Sequence, residues 1–164
     1  MKLSKMLAFM ALIALLSFSC STEEYPEETI DSVELLNAPE AKTIEIEILE
    51  LINSHRINMG LNALSNHNTI KAVAYTHTDY MVEVNNVSHD NFFQRKNSLV
   101  QNASATRVSE NVAYAFSSAE SVVNAWLNSE GHRANIEGDF TDFDVSAEMN
   151  NEGKWYFTNI FIKK

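Results

Sequence analysis

The segment from residue 155 to residue 162 constrains the fold of this chain more than any other. Neighbouring side chains of a β-strand point to opposite faces of the sheet. Both faces of this segment are largely apolar, with Trp155, Phe157, Asn159 and Phe161 on one and Tyr156, Thr158, Ile160 and Ile162 on the other. Since a strand of this kind is covered on both sides, we expect it at the centre of a sheet with helices on both faces.

Two further strands complete the predicted sheet. Residues 150–153, Asn-Asn-Glu-Gly, are typical of a hairpin turn, so a strand predicted over residues 144–149 pairs with the central one. Another strand is predicted over residues 107–115 and carries Glu110. We expect the hairpin to lie beside this strand.

Helical patterns supply the outer layers. A first helix has a capping box that begins at Asn37, a stop at Gly60, and an apolar stripe formed by Ile44, Ile48, Leu51, Ile52 and His55. A second is predicted over residues 69–84, and a third begins at a capping box of Ser117 and Glu120 and ends at Gly131. These patterns predict an α/β fold. It is a three-layer α/β/α sandwich with a small, mostly antiparallel central sheet and four long or short helices on its faces.

The first twenty residues predict a secretory signal. Two lysines precede an unbroken apolar run over residues 6–16, which is too short to span a bilayer comfortably as a permanent helix. The alternative is an uncleaved N-terminal anchor. Cys20 is the only cysteine and follows the run as in bacterial lipoprotein signals. We therefore predict that residues 1–20 are a lipoprotein signal peptide and that Cys20 is lipidated, which would attach the chain to a membrane.

Acidic residues outnumber basic residues in the rest of the chain. The net charge is −10, and removal of the signal, which holds two lysines and no acid, makes it −12. Six acids and no base lie between Glu23 and Glu34, which predicts a disordered acidic linker over residues 21–40. The folded domain then occupies residues 41–164. This charge balance argues against nucleic acid as a partner.

Three polar motifs follow one another at wide spacing: Val87-Ser88-His89-Asp90-Asn91-Phe92, Ser109-Glu110-Asn111-Val112-Ala113, and residues 126–136 with Gly131-His132. In this order they resemble the CAP superfamily, which groups cysteine-rich secretory, antigen-five and pathogenesis-related proteins (the SCP domain). The resemblance is to its short bacterial branch, covers residues 41–164, and implies an α/β/α sandwich. One departure is the Gly-Val-Gly-like strand start of the family, where this chain has Asp144-Val145-Ser146.

The resemblance also implies a cleft lined by two histidines and two acidic residues. His89 takes the place of the first histidine, Glu110 that of the first glutamate and His132 that of the second histidine. Ser129 stands at the second acidic position and Glu130 follows it. The site is therefore either a triad or a set in which Glu130 substitutes from a shifted position.

Three interpretations of His89, Glu110 and His132 stay open. Two neutral imidazoles in one cavity can bind zinc or another divalent cation, with Glu110 orienting one of them. A glutamate–histidine pair can instead serve as general base and acid. In the third interpretation Glu110 only ties loops together by hydrogen bonds. His77 falls in the middle of an apolar helical stripe, which predicts a packed core histidine rather than a ligand.

These features predict an exported, lipid-anchored CAP-domain protein of the cell envelope, on the outer membrane or the cell surface. Its cleft is expected to bind a divalent metal ion or a small or lipid ligand. One alternative is a metal-assisted hydrolase of peptides or envelope polymers with His89, Glu110 and His132 as catalytic residues. Another is a purely structural surface module.

Overall fold

The computed structural model describes residues 37–164 and contains one four-stranded sheet. Its strands are β1 (Ser65–Asn66), β2 (Arg107–Tyr114), β3 (Asp142–Met149) and β4 (Trp155–Lys163). Their order is β1-β3-β4-β2. β4 pairs antiparallel with β3 and β2, and β1 pairs parallel with β3. The central position of the last strand and the mostly antiparallel sheet are therefore confirmed.

Five helices surround the sheet: α1 (Thr43–Asn58), α2 (Asn68–Val84), α3 (Phe92–Ala103), α4 (Ala119–Asn128) and α5 (Glu130–Ile136). One buried cluster joins α1, α4 and α5 to the sheet through side chains such as Trp126, Phe157 and Phe161. A second joins α2 and α3 to it through side chains such as Ile160 and Ile162. Because alternate residues of β4 enter the two clusters, the predicted α/β/α sandwich is confirmed.

Helix α3 was not predicted from the sequence, because residues 85–106 form a largely polar stretch without an apolar stripe. The helix nevertheless buries Leu99 and Ala103 together with two polar side chains, Arg95 and Ser98. Buried polar positions do not count toward an apolar stripe, so the periodicity of this helix is weak. The structure thus has five helices over residues 37–164 instead of the expected four.

Two predicted helix starts were wrong. The first helix begins at Thr43 rather than near Asn37, where the carboxylate of Glu45 reaches back and accepts the Lys42 N–H at 2.6 Å. At α4, the hydroxyl of Ser118, not Ser117, accepts the N–H of the third helical residue. Both starts depend on which polar side chain reaches the free N–H groups of the first turn.

The predicted role of Gly131 was also wrong, whereas that of Gly60 is confirmed. Gly60 has a φ of 75° just after α1, a conformation that favours glycine. Gly131 lies inside α5 instead of ending the preceding helix. That helix ends at Asn128, because Ser129 is extended with φ −98° and ψ 120° and separates α4 from α5.

The predicted signal peptide, the lipidation site Cys20 and residues 21–36 of the predicted linker lie outside the described residues. They stay predictions. Within residues 37–164 no helix has both the length and the apolar character needed to cross a membrane.

Candidate functional site

Glu110 is the centre of a buried polar cluster on β2, a strand at the edge of the sheet. Its side chain is 1% exposed. Its cross-strand partner is Ile160, so it points toward the layer formed by α2 and α3. Arg95 of α3 binds it through two hydrogen bonds, Nε to Oε2 at 2.7 Å and Nη2 to Oε1 at 2.8 Å. A planar guanidinium matches a carboxylate in this two-bond geometry.

Arg95 also holds the loop that carries His89. Its Nη1 donates to the carbonyl oxygen of Asp90 at 2.6 Å. The guanidinium carbon lies 5.9 Å from the ring centre of Phe92, one turn earlier on the same helix. Arg95 was not among the residues predicted from the sequence, although Phe92, Arg95 and Leu99 recur at helical spacing. A basic residue within such a pattern is the signal that could have found it.

His89 contacts Glu110 directly. Its Nδ1 lies 2.8 Å from Oε1 of the carboxylate. An ionised carboxylate can only accept, so Nδ1 carries the proton and donates it. In the neutral ring Nε2 then has a free lone pair, and the side chain is 52% exposed. The pair therefore presents a basic nitrogen that a ligand can reach.

The pKa of Glu110 lies below its ordinary value despite deep burial. Burial alone would raise that pKa, but the hydrogen bonds from His89 and Arg95 and the positive charge of Arg95 outweigh it. Glu110 is thus ionised at neutral pH, which fixes the tautomer of His89.

His77 lies behind the cluster, buried on α2 as expected. Its Nε2 is 2.8 Å from the carbonyl oxygen of Ser88 and 3.9 Å from Oε1 of Glu110. A carbonyl can only accept, so this nitrogen carries a proton. Burial first, and the charge of Arg95 second, lower the pKa of His77 and keep its ring neutral. The side chain fixes the backbone immediately before His89.

His132 belongs to the opposite helical layer, with α1 and α4. It lies half-buried on α5, which two amides attach to β2. Asn111 donates to the carbonyl oxygen of His132 at 3.1 Å, and Asn135 donates to the side-chain oxygen of Asn111 at 2.8 Å. Burial first, and the nearby charge of His89 second, lower the pKa of His132. The charge of His89 thus acts on the ring of His132.

Ser129 and Glu130 are not part of the cluster's hydrogen bonding. Ser129 lies half-buried at the junction of α4 and α5, and its hydroxyl forms no capping hydrogen bond. Glu130 is exposed in the first turn of α5. In the part of the chain that the structure describes, neither side chain hydrogen-bonds to His89, Glu110 or His132. The family resemblance implies a second acidic residue in the cleft, and neither Ser129 nor Glu130 takes that role through a hydrogen bond to the cluster.

The donor set suits a divalent cation only in part. Two neutral imidazoles, one of which donates its other nitrogen to a carboxylate, are typical metal ligands. Within residues 37–164, however, no three or more His, Cys, Asp or Glu side chains converge as a metal site. A cation shared by His89 and His132 would thus have two protein ligands and open positions for water or a further donor.

Comparison with known families matches residues 49–161 to the model of the cysteine-rich secretory protein family, CAP. A curated relative, the uncharacterized membrane protein YlbC of Bacillus subtilis, is 33% identical over 126 residues. That match covers 74% of this chain and 35% of YlbC. The chain therefore spans about a third of the length of this relative.

Solved structures share the fold. An outer surface protein of Borrelia burgdorferi superposes with a TM-score of 0.65 at 24% identity, over 71% of this chain and 90% of that one. An extracellular protein of Bacillus anthracis that contains an SCP domain superposes with a TM-score of 0.62 at 28% identity. That match covers 73% of this chain and 40% of the Bacillus anthracis protein.

Proposed function

The chain belongs to the CAP (cysteine-rich secretory protein) family, and we propose that its cleft binds a divalent cation, zinc above all, through His89 and His132. The observation that carries the proposal is the 2.8 Å hydrogen bond between His89 Nδ1 and Glu110. It fixes the tautomer in which Nε2 is the free nitrogen, and a carboxylate behind an imidazole makes the imidazole a better ligand.

The charge state of the second imidazole supports the same proposal. A metal ion binds the neutral form of histidine, and the lowered pKa of His132 favours that form. Asn111 and Asn135 attach the helix of His132 to the strand of Glu110. A cation could therefore bind between two elements that are already held together.

Two protein ligands leave coordination positions open. Water or a polar group of a small or lipid ligand would fill them. The bound cation would thus serve to recruit an extracellular ligand, which is the binding role predicted for the cleft.

The test is calorimetric titration of zinc into the purified protein and into His89→Ala and His132→Ala. Loss of one of two ligands is expected to weaken binding by at least roughly tenfold, or about 1.4 kcal/mol. The control is His67→Asn, which removes an imidazole outside the cleft and keeps a side-chain acceptor for Thr69 N–H at the start of α2. If the two cleft variants bind zinc as tightly as the control does, the cleft is not the site.

We also propose that the protein is exported and held at the cell envelope by a lipid on Cys20, on the outer membrane or the cell surface. The relatives support this location, since their descriptions are a membrane protein, an outer surface protein and an extracellular protein. Cys20→Ala is expected to move the protein from the membrane to the soluble fraction. Membrane retention of the variant, without a lipid mass on the wild-type cysteine, would contradict it.

The second candidate function is a metal-assisted hydrolase of peptides or envelope polymers. The observation in its favour is the same dyad, because a histidine backed by an ionised glutamate is a competent general base. Zinc-dependent turnover that is lost in His89→Ala would support it. Lipid or small-molecule retention without turnover would support the binding role, and the absence of both would leave a structural surface module.

A further inference from the structure

A second concave site lies between α1, the start of α2 and residues 37–41. It is a cavity of about 1090 Å³, slightly larger than the roughly 300–1,000 Å³ of typical ligand pockets. Ile46, Leu49 and Ile57 of α1 form an apolar wall, and Lys71 and Asp144 are among its polar lining residues. None of the cleft residues His89, Glu110 and His132 lines it.

This cavity is separate from the cleft because two strand spacings lie between them. Asp144 of β3 pairs with Ile160 of β4, which pairs with Glu110 of β2. Neighbouring strands are about 4.8 Å apart, so the backbones of Asp144 and Glu110 are separated by roughly 10 Å across the sheet.

Asp144 is a buried carboxyl without a cationic partner. It is 7% exposed, and its oxygens accept the N–H groups of Val145 at 2.9 Å and His67 at 3.2 Å. Within residues 37–164 no ammonium or guanidinium lies within 4.0 Å of it. Its charge is thus held by two backbone N–H groups, and the ammonium of Lys71 acts on it only from beyond ion-pair distance.

The nearby ammonium of Lys71 is already neutralised by another residue. Its Nζ lies 2.6 Å from Oε1 of Glu45 and 2.8 Å from the carbonyl oxygen of Val145. Glu45 in turn accepts N–H groups of Lys42 and Ala147. The Lys71–Glu45 pair is therefore neutral as a unit and leaves the negative charge of Asp144 for a ligand.

Two more carboxylates, Glu40 and Glu50, line the same cavity and are exposed. The cavity thus combines an apolar wall with an excess of negative charge. A negative ligand would be repelled, and a neutral one would leave the Asp144 carboxylate desolvated and uncompensated.

We propose that the cavity binds a small aliphatic amine, a primary ammonium on a short alkyl chain, with Asp144 as its counter-ion. The ammonium would lie against Asp144, and the alkyl chain would pack on Ile46, Leu49 and Ile57. This binding is independent of the metal proposed for the His89–His132 cleft.

The test uses 1,5-diaminopentane as the probe, titrated into the ¹⁵N-labelled protein at neutral pH. Saturable shifts are expected at the amides of Leu49, Ala72 and Asp144, with none at His89. The neutral probe 1-pentanol should bind at least roughly tenfold more weakly, a difference of about 1.4 kcal/mol. Equal binding of both probes, or shifts spread over the acidic surface without saturation, would overturn the proposal.

Two variants locate the counter-ion. Asp144→Asn should weaken diamine binding at least roughly tenfold. Asp139→Asn should not, because Asp139 is exposed and pairs with Lys163 away from the cavity.

Since Asp144→Asn alters buried hydrogen bonds, Ile57→Lys serves as a second variant. Ile57 is an exposed wall residue, so the new positive charge should weaken diamine binding without lowering the melting temperature. Unchanged affinity in either Asp144→Asn or Ile57→Lys would overturn the proposal.

Discussion

Arg95 and Glu110 form a buried ion pair in which Nε lies 2.7 Å from Oε2 and Nη2 lies 2.8 Å from Oε1. The pair keeps Glu110 ionised, and the ionised carboxylate fixes the proton of His89 on Nδ1. Arg95 therefore controls the chemistry of His89 through the carboxylate between them.

Loss of Arg95 should destabilise the fold severely. Arg95→Ala leaves the carboxylate of Glu110 buried with His89 as its remaining close partner, and breaking a buried pair typically costs about 3–5 kcal/mol. The matched control is Lys96→Ala on the same helix, because Lys96 is exposed and its loss is expected to cost less than about 0.5 kcal/mol. Urea unfolding measures both free energies, and similar values for the two variants would show that the pair is unimportant for stability.

The pKa of His132 should depend on His89. In the metal-free protein we expect the pKa of His132 below its ordinary value of 6.5, because the ring is partly desolvated and close to the charge of His89. His89→Ala removes the second cause and keeps the first, so the pKa of His132 should rise but stay below 6.5. NMR titration of the ring protons measures both values. An unchanged pKa in the variant would place the two rings too far apart to share a cation.

The Asn111–Asn135 contact should hold His132 in place. Asn135→Ala leaves the buried side-chain oxygen of Asn111 without its donor, which typically costs about 1–3 kcal/mol. It also loosens α5, so zinc affinity should fall although the variant removes no ligand. Asn124→Ala, at an exposed position of α4, is the control for both measurements. Unchanged zinc affinity in Asn135→Ala would show that α5 needs no such attachment.

Asp144 should make the protein less stable as the pH rises. Burial raises its pKa to about 6 in the fold, against an ordinary value of 3.8, although Val145, His67 and Lys71 lower it. Between these pH values the folded chain keeps a proton that the unfolded chain has lost, so this contribution is present below about pH 4 and lost above about pH 6. Its size is roughly 3 kcal/mol, at about 1.4 kcal/mol for each pKa unit.

The measurement is the difference in unfolding free energy between wild type and Asp144→Asn at about pH 4 and about pH 7. Other carboxyls, such as Glu110, have lowered pKa values and change stability in the opposite direction, but they cancel in this difference. Relative to the variant, the wild type should lose stability from the lower to the higher pH. A constant difference would contradict a raised pKa at Asp144.

Much of the fold could be predicted because apolar periodicity reports burial directly. The two apolar faces of β4 require a layer on each side, and the observed strand lies between β3 and β2. The apolar stripe of the second helix predicted a start at Thr69, and the observed helix α2 begins one residue earlier, at Asn68. The resemblance to the CAP family implied a cleft that contains His89 and Glu110, and the Nδ1 atom of His89 lies 2.8 Å from Oε1 of Glu110.

The missed features share a physical cause, since each depends on a polar partner that is distant in the chain. Arg95 can be buried on α3 only because Glu110, on another element, neutralises it. Glu45 lies in the interior because Lys71 and the Ala147 N–H meet it there. Local periodicity contains no information about such pairs.

The three layers, the central strand and the motif residues follow from side-chain polarity and spacing, because these decide which surfaces leave water. The tautomer of His89, the role of Arg95 and the unpaired charge of Asp144 arise from contacts that form only in the folded chain. Those properties depend on distances of a few ångströms between atoms of different elements, where the energy of a charge is set by its nearest partner and by the absence of water.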